Sequence, residues 1–234
     1  MIIMTLDQKD SRRQPDLVNR VVAELDAMAG PHLVRRFQRT AGDEVQGVLD
    51  DAQTVLEIAL AVARTEQWST GIGIGAVRTP LPEETRAGSG PAFEAARDAV
   101  TRAKRASGGV ALTASDAEAA EQAEALVQLL CELERRRTDS SQEAGKLVDE
   151  GLSQSAAAEE LGTSQQAVSR RLQRGLWTET RRVLSVAAGI MKDMDATDGV
   201  DATDATDVTD ATDATDPTDI PEERVGDGRP GGEA

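Results

Sequence analysis

The run STGIGIGAV at residues 69–77 constrains this chain more than any other segment. Alternate residues of a strand point to opposite faces, so Gly71-Ile72-Gly73-Ile74-Gly75 has one apolar face and one bare face. A bare strand face implies close approach of another backbone or of a ligand. The sheet that contains this strand must also find its core elsewhere than in aromatic rings. Aromatic residues are 2% of the 234, with no Tyr, so Leu, Val, Ile and Ala carry the packing.

Around that strand the periodicities alternate. Residues 1–6 are an apolar run ending at Asp7 and fit a buried strand. Leu17, Val18, Val21, Val22, Leu25 and Met28 have helical spacing over 15–29. Residues 34–40 and 45–49 are short strands around Ala41-Gly42-Asp43-Glu44, a hairpin signal. A second helix is expected over 52–64, then the glycine strand, a third helix over 91–106 and a short strand over 110–113. The order β-α-β-β-α-β-α-β contains the split β-α-β pattern of ferredoxin-like sheets.

The runs LDQKDSRR, TAGDEVQGVLDD, GIGIGAV and GPAFEAARDAVTRAK, in this order and spacing over about residues 1–115, resemble the SatD family. Asp7 closing the first strand, Gly42-Asp43-Glu44 at the hairpin and the glycine strand resemble, more widely, the nucleotidyl cyclase and GGDEF fold. The resemblance implies that Asp7 and Asp43, with Glu44 as an alternative second ligand, hold divalent cations, Mg2+ or Mn2+, that would neutralise a bound triphosphate. Two close carboxylates are costly unless a cation compensates them. The segment 90–97 is similar to the cyclase helix that carries an Asn and Arg pair. Four residues before Arg97, however, stands Phe93, and Ala41 and Val45 replace the first Gly and the Phe of a GGDEF motif. The resemblance therefore implies a nucleotide or metal pocket in a catalytically degenerate domain.

The second strong signal is GLSQSAAAEELGTSQQAVSRRL, residues 151–172. Ser153 is a good N-cap for a helix to Leu161, Gly162 can end that helix in the left-handed conformation, and Ser164 can cap the next. Ala157 and Ala158 permit a close helix crossing; Leu161 and Val168 fill its corner. The pattern resembles the helix-turn-helix of many bacterial repressors and sigma-like regulators. The second helix, 165–174, has the residues of a recognition helix. Ser164, Gln165, Gln166, Ser169 and Arg170 lie near its exposed N-terminal face, where Gln suits adenine and Arg suits guanine. Arg171, Arg174, Arg181 and Arg182 suit phosphates. Residues 165–182 hold five Arg and one Glu.

The chain's net charge of −16 does not oppose this, because it is unevenly placed. From Asp193 onward stand 14 acidic and 2 basic residues, mostly in an Asp-Ala-Thr repeat. Such a segment offers little to bury, its carboxylates repel, and Asp and Thr are poor helix formers, so 193–234 reads as a disordered tail. An EF-hand reading fails, because the loop glycine and bidentate Glu are missing.

A helix over 117–137, with Ala119, Ala123, Leu126, Leu130 and Leu133 as its stripe, is expected to face the first domain or a second subunit. A later stripe of Leu176, Val183, Leu184, Ala187, Ile190 and Met191 is expected to close the small C-terminal domain. Cys131, the single cysteine, reads as a buried thiol, and His32 as a surface residue. No run is long enough to span a bilayer and no secretory signal is visible, which points to the cytoplasm and away from a membrane partner.

The expected fold class is α+β: a ferredoxin-like (nucleotidyl cyclase-like) domain over 1–115, a connecting helix over 116–138, an all-α helix-turn-helix domain over 139–192, and the tail. The expected function is a DNA-binding transcriptional regulator, a possible homodimer reading two half-sites, whose first domain senses a ligand such as a nucleotide. The alternative is a metal-dependent nucleotidyl cyclase or transferase regulated by its C-terminal domain; a third is a scaffold that binds protein only.

Overall fold

The computed structural model describes residues 1–204, with side chains through residue 197. Strands β1 (Ile2–Gln8), β2 (Leu33–Arg39), β3 (Glu44–Leu49), β4 (Trp68–Ile74) and β5 (Val110–Thr113) form one sheet in the order β2-β3-β1-β4-β5. β1 runs antiparallel to β3 and β4, and β5 runs parallel to β4. β1 takes the centre because it is apolar on both faces, with Ile2, Ile3, Met4 and Leu6 all buried.

The two faces are covered unequally. Ile2, Met4 and Leu6 join the main core cluster, which takes in α1 (Val18–Ala29), α2 (Ala52–Thr65), α4 (Ala117–Arg136) and α8 (Trp177–Asp204). Ile3 and Val48, on the other face, pack on Ala92, Phe93 and Ala96 of α3 (Pro91–Ala103). Here the bare face of the glycine strand is explained. A Cβ on Gly71 would fall 2.2 Å from the Val100 nitrogen, and one on Gly73 would fall 2.3 Å from the Ala92 oxygen. The neighbour brought close is the α3 backbone itself, pressed onto β4 through its alanines.

A second cluster is built by α5 (Asp139–Asp149), α6 (Gln154–Glu160), α7 (Gln165–Arg174) and the first turn of α8. It buries Ala144, Ala157, Ala158, Val168, Leu172 and Trp177. Thr138, Ser153 and Ser164 cap α5, α6 and α7, each accepting a hydrogen bond from the backbone nitrogen three residues on. Gly162 has φ +57°, the left-handed value that ends α6.

Two expectations are corrected. The stripe of α8 does not close the small cluster: only Trp177 belongs there, and Leu184, Ala187, Met191 and Met194 pack into the main core against α2 and α4. The helix over 117–136 is part of that core, with Ala120, Ala123, Val127, Leu130 and Cys131 buried, so of its two expected neighbours it faces the sheet domain. Residues 193–204 are not an unstructured tail but the end of α8. Met194 stands three residues after Met191 and is buried, which holds this part of α8 to the main core. The rest of the expected tail, 205–234, lies outside the described residues.

Cys131 is fully buried, and burial pushes its thiol up to about 12, as expected of an inert core cysteine. His32 is at the surface, 3.2 Å from Asp50. No described helix is long and apolar enough to cross a membrane.

Candidate functional site

Asp7 stands in register with Glu44 on β3 and Ser69 on β4, so the three residues share the face that carries α3. The hairpin turn brings Asp43 to the same end: Gly42 adopts φ +58°, and the Gln8 nitrogen donates to the Asp43 carbonyl at 3.2 Å. Both Asp7 and Asp43 line a cleft of about 680 Å³ at this end of the sheet. Its other wall is the turn after β1, where Asp10 adopts φ +53° and its carbonyl accepts from the nitrogens of Arg13 and Gln14. That turn presents Lys9, Arg12 and Arg13 to the cleft.

The sequence reading named none of the cleft's cations, Lys9, Arg12, Arg13 or Lys104. Lys104 stands just after the last turn of α3, and its Nζ donates to Asp7 Oδ2 at 2.8 Å. Nothing local in the sequence could have paired residues 97 positions apart. Lys9 is half-buried, and burial first, then the neighbouring Arg135 guanidinium, holds its ammonium below the usual lysine value.

As arranged, these residues are a poor donor set for the divalent cations that the cyclase resemblance implies. Asp7 is engaged by an ammonium group, and among the described residues no group of three or more His, Cys, Asp or Glu side chains comes together. Mg2+ is usually held by one or two carboxylates, with waters and substrate phosphates completing the octahedron, so Asp7 would have to release Lys104 before it and Asp43 could serve in such a set. Phe93 is not in the cleft at all. It is buried beneath α3, its ring filling the space beside Gly88, while Arg97 is exposed.

The second candidate surface is α7. Val168 and Leu172 turn inward and fasten it to α5 and α6, which leaves Ser164, Gln165, Gln166, Arg170 and Arg174 exposed, with Ser169 and Arg171 half-buried. Ser164 Oγ accepts from the Ala167 nitrogen, and its hydroxyl proton remains free to be donated outward. The Arg171 carbonyl accepts from Ser141 Oγ at 2.9 Å, which ties the middle of α7 to α5.

Arg181 leaves the group of phosphate candidates. It pairs with Asp149 and lies 4.8 Å from the centroid of the Trp177 ring, so it holds the start of α8 to α5. Arg137 lies 4.5 Å from the centroid of the same ring, pairs with the buried Glu134, and donates to the Gly175 carbonyl and Thr180 Oγ1. Burial lowers its pKa against the pull of Glu134. This buried joint ties α4 to the turn between α7 and α8.

The family model described as SatD family matches residues 3–190. The chain belongs to the SatD family. The match runs from β1 into α8, so the family extends well beyond the 1–115 segment on which the sequence resemblance rested, and the C-terminal helices of this SatD protein lie inside it. No curated protein and no solved structure matched the chain.

Proposed function

We propose that this SatD-family protein binds DNA through α7 as a cytoplasmic transcriptional regulator, with the sheet domain as a catalytically degenerate, ligand-sensing body. The observation that carries the reading is the exposed row of Gln165, Gln166, Arg170 and Arg174 on a helix whose opposite face is fixed by Val168 and Leu172. Two capped helices held at a glycine turn support a helix-turn-helix, and the exposed residues of α7 suit base edges and phosphates. The order β2-β3-β1-β4 supports a ferredoxin-like, cyclase-like sheet to which β5 is added. A homodimer belongs to this reading, because such helices usually read two half-sites.

The sheet is coupled to that surface physically. α8 starts in the small cluster and ends in the main core, and the Arg137–Glu134 joint sits between them. In this reading, a ligand that shifts the body acts on α7 through α8 and this joint.

The test is selection of bound DNA from a random pool with the intact chain, then the same binding measurement on the Arg170→Ala, Arg171→Ala double variant. Each good base contact is worth about 1–3 kcal/mol, so binding should fall strongly. A folded double variant that binds as the parent does would remove α7 as the reading helix. The enzyme reading rests on Asp7 and Asp43 lining one cleft. Turnover of a nucleotide in the presence of Mg2+ would promote it over DNA binding.

A further inference from the structure

The strand-end cleft is built around cations that its own carboxylates do not fully engage. Asp7 is paired with Lys104, while Lys9, Arg12 and Arg13 make no ion pair among the described residues. The Lys9 ammonium also has a second cation as neighbour. Gly109 has φ +65°, and a Cβ there would fall 2.6 Å from Arg135 Nη2 and 3.1 Å from Lys9 Nζ, so both groups converge over one piece of backbone. Arg135 pairs with Glu132 through Nη1 at 3.4 Å, but its Nη2 is buried without a hydrogen-bond partner. Like charges so placed favour an anion beside them.

A further observation points to a ligand. Ser69 lines the cleft, is 1% exposed, and its Oγ has no hydrogen-bond partner. A buried hydroxyl left unmatched costs about 1–3 kcal/mol, and such groups cluster where a ligand completes them. Ser69 stands directly opposite Asp7, the residue that fixes Lys104. The ammonium of Lys104 has three donors and uses one on Asp7, so two remain for an incoming group.

We propose that this cleft binds the phosphate group of a phosphorylated small molecule directly, with Lys9 and Lys104 supplying the charge and the Ser69 hydroxyl donating from the floor. Lys104 takes the place that a divalent cation would hold beside Asp7, so binding needs no metal. The volume, about 680 Å³, leaves room for the organic part of such a molecule beyond its phosphate. The site does not depend on the DNA reading, and its test contains no DNA.

Isothermal titration of the full chain with inorganic phosphate and with pyrophosphate, both in EDTA, tests this. Saturable binding to one site is expected, and Lys9→Gln and Ser69→Ala should each weaken it about tenfold, the usual scale for losing a hydrogen bond to a charged group. Ser69→Ala removes a single oxygen, so it remains informative if Lys9→Gln fails to fold. No saturable binding by the parent chain overturns the proposal. So does binding that appears only when Mg2+ replaces EDTA, which would mean a metal-bridged site, or binding that both folded variants retain unchanged.

Discussion

Lys104 Nζ lies 2.8 Å from Asp7 Oδ2, joining the end of α3 to the end of β1 across 97 residues of chain. The ammonium thus occupies the position beside Asp7 where the cyclase resemblance implies a metal. Mg2+ or Mn2+ should therefore leave the melting temperature of the parent protein unchanged. Lys104→Ala frees both Asp7 oxygens and should create a Mn2+-dependent rise by mass action. A metal-dependent rise in the parent that Asp43→Asn abolishes would show instead that Asp7 and Asp43 already hold a cation.

Gly71 and Gly73 set the distance between α3 and the sheet. A methyl at Gly71 would meet backbone atoms of Val100 and Ala96 at 2.2 and 2.6 Å, and backbone cannot rotate away as a side chain can. Gly71→Ala should destabilise the protein by about 3 kcal/mol or more, the upper end of overpacking costs. Chemical denaturation measures it. A loss below about 0.5 kcal/mol, the range of a neutral surface change, would mean that α3 can lift without penalty.

Cys131 gives an alkaline signature. Its thiol moves from an ordinary 9.0 to about 12 because the thiolate is desolvated in the core. A group whose folded value is raised contributes stability in full below its unfolded value and loses it as pH rises through the folded value. Stability should hold to about pH 9 and decline towards 12, and Cys131→Ala should flatten that part of the profile. Superimposable alkaline profiles would assign the decline to other groups. Alkylating reagents should label the native thiol only on unfolding.

Met194 anchors the end of α8 in the main core. Truncation after Lys192, which the acidic repeat alone would make harmless, should lower the melting temperature. Met194→Ala should cost about 2 kcal/mol or more, as large-to-small core changes do. Calorimetry on the two proteins decides it: an unchanged midpoint in both would return residues 193–197 to the status of a solvated tail.

Local chemistry made much of this protein legible in advance. Strand alternation in β1, helical spacing in α1 and α2, the hairpin glycine and the serine caps of α6 and α7 act over a few residues, so each can be read where it stands. Those elements appear in the expected order. The bare face of β4 was legible as a demand for a close neighbour, but only the tertiary structure decided between ligand and backbone, because α3 comes after β4 in sequence without any mark of how near it lies. The same limit applies to α8. Its stripe of Leu184, Ala187 and Met191 announced an apolar face, and periodicity carries no address, so the choice of the main core over the nearer small cluster was made by packing. Charged side chains were the least legible. Arg181 and Arg170 look alike as letters, yet Asp149 and Trp177 hold one while the other is exposed. Lys104 joined the cleft only because α3 ends above β1, since Coulomb forces act through space and the chain records only order.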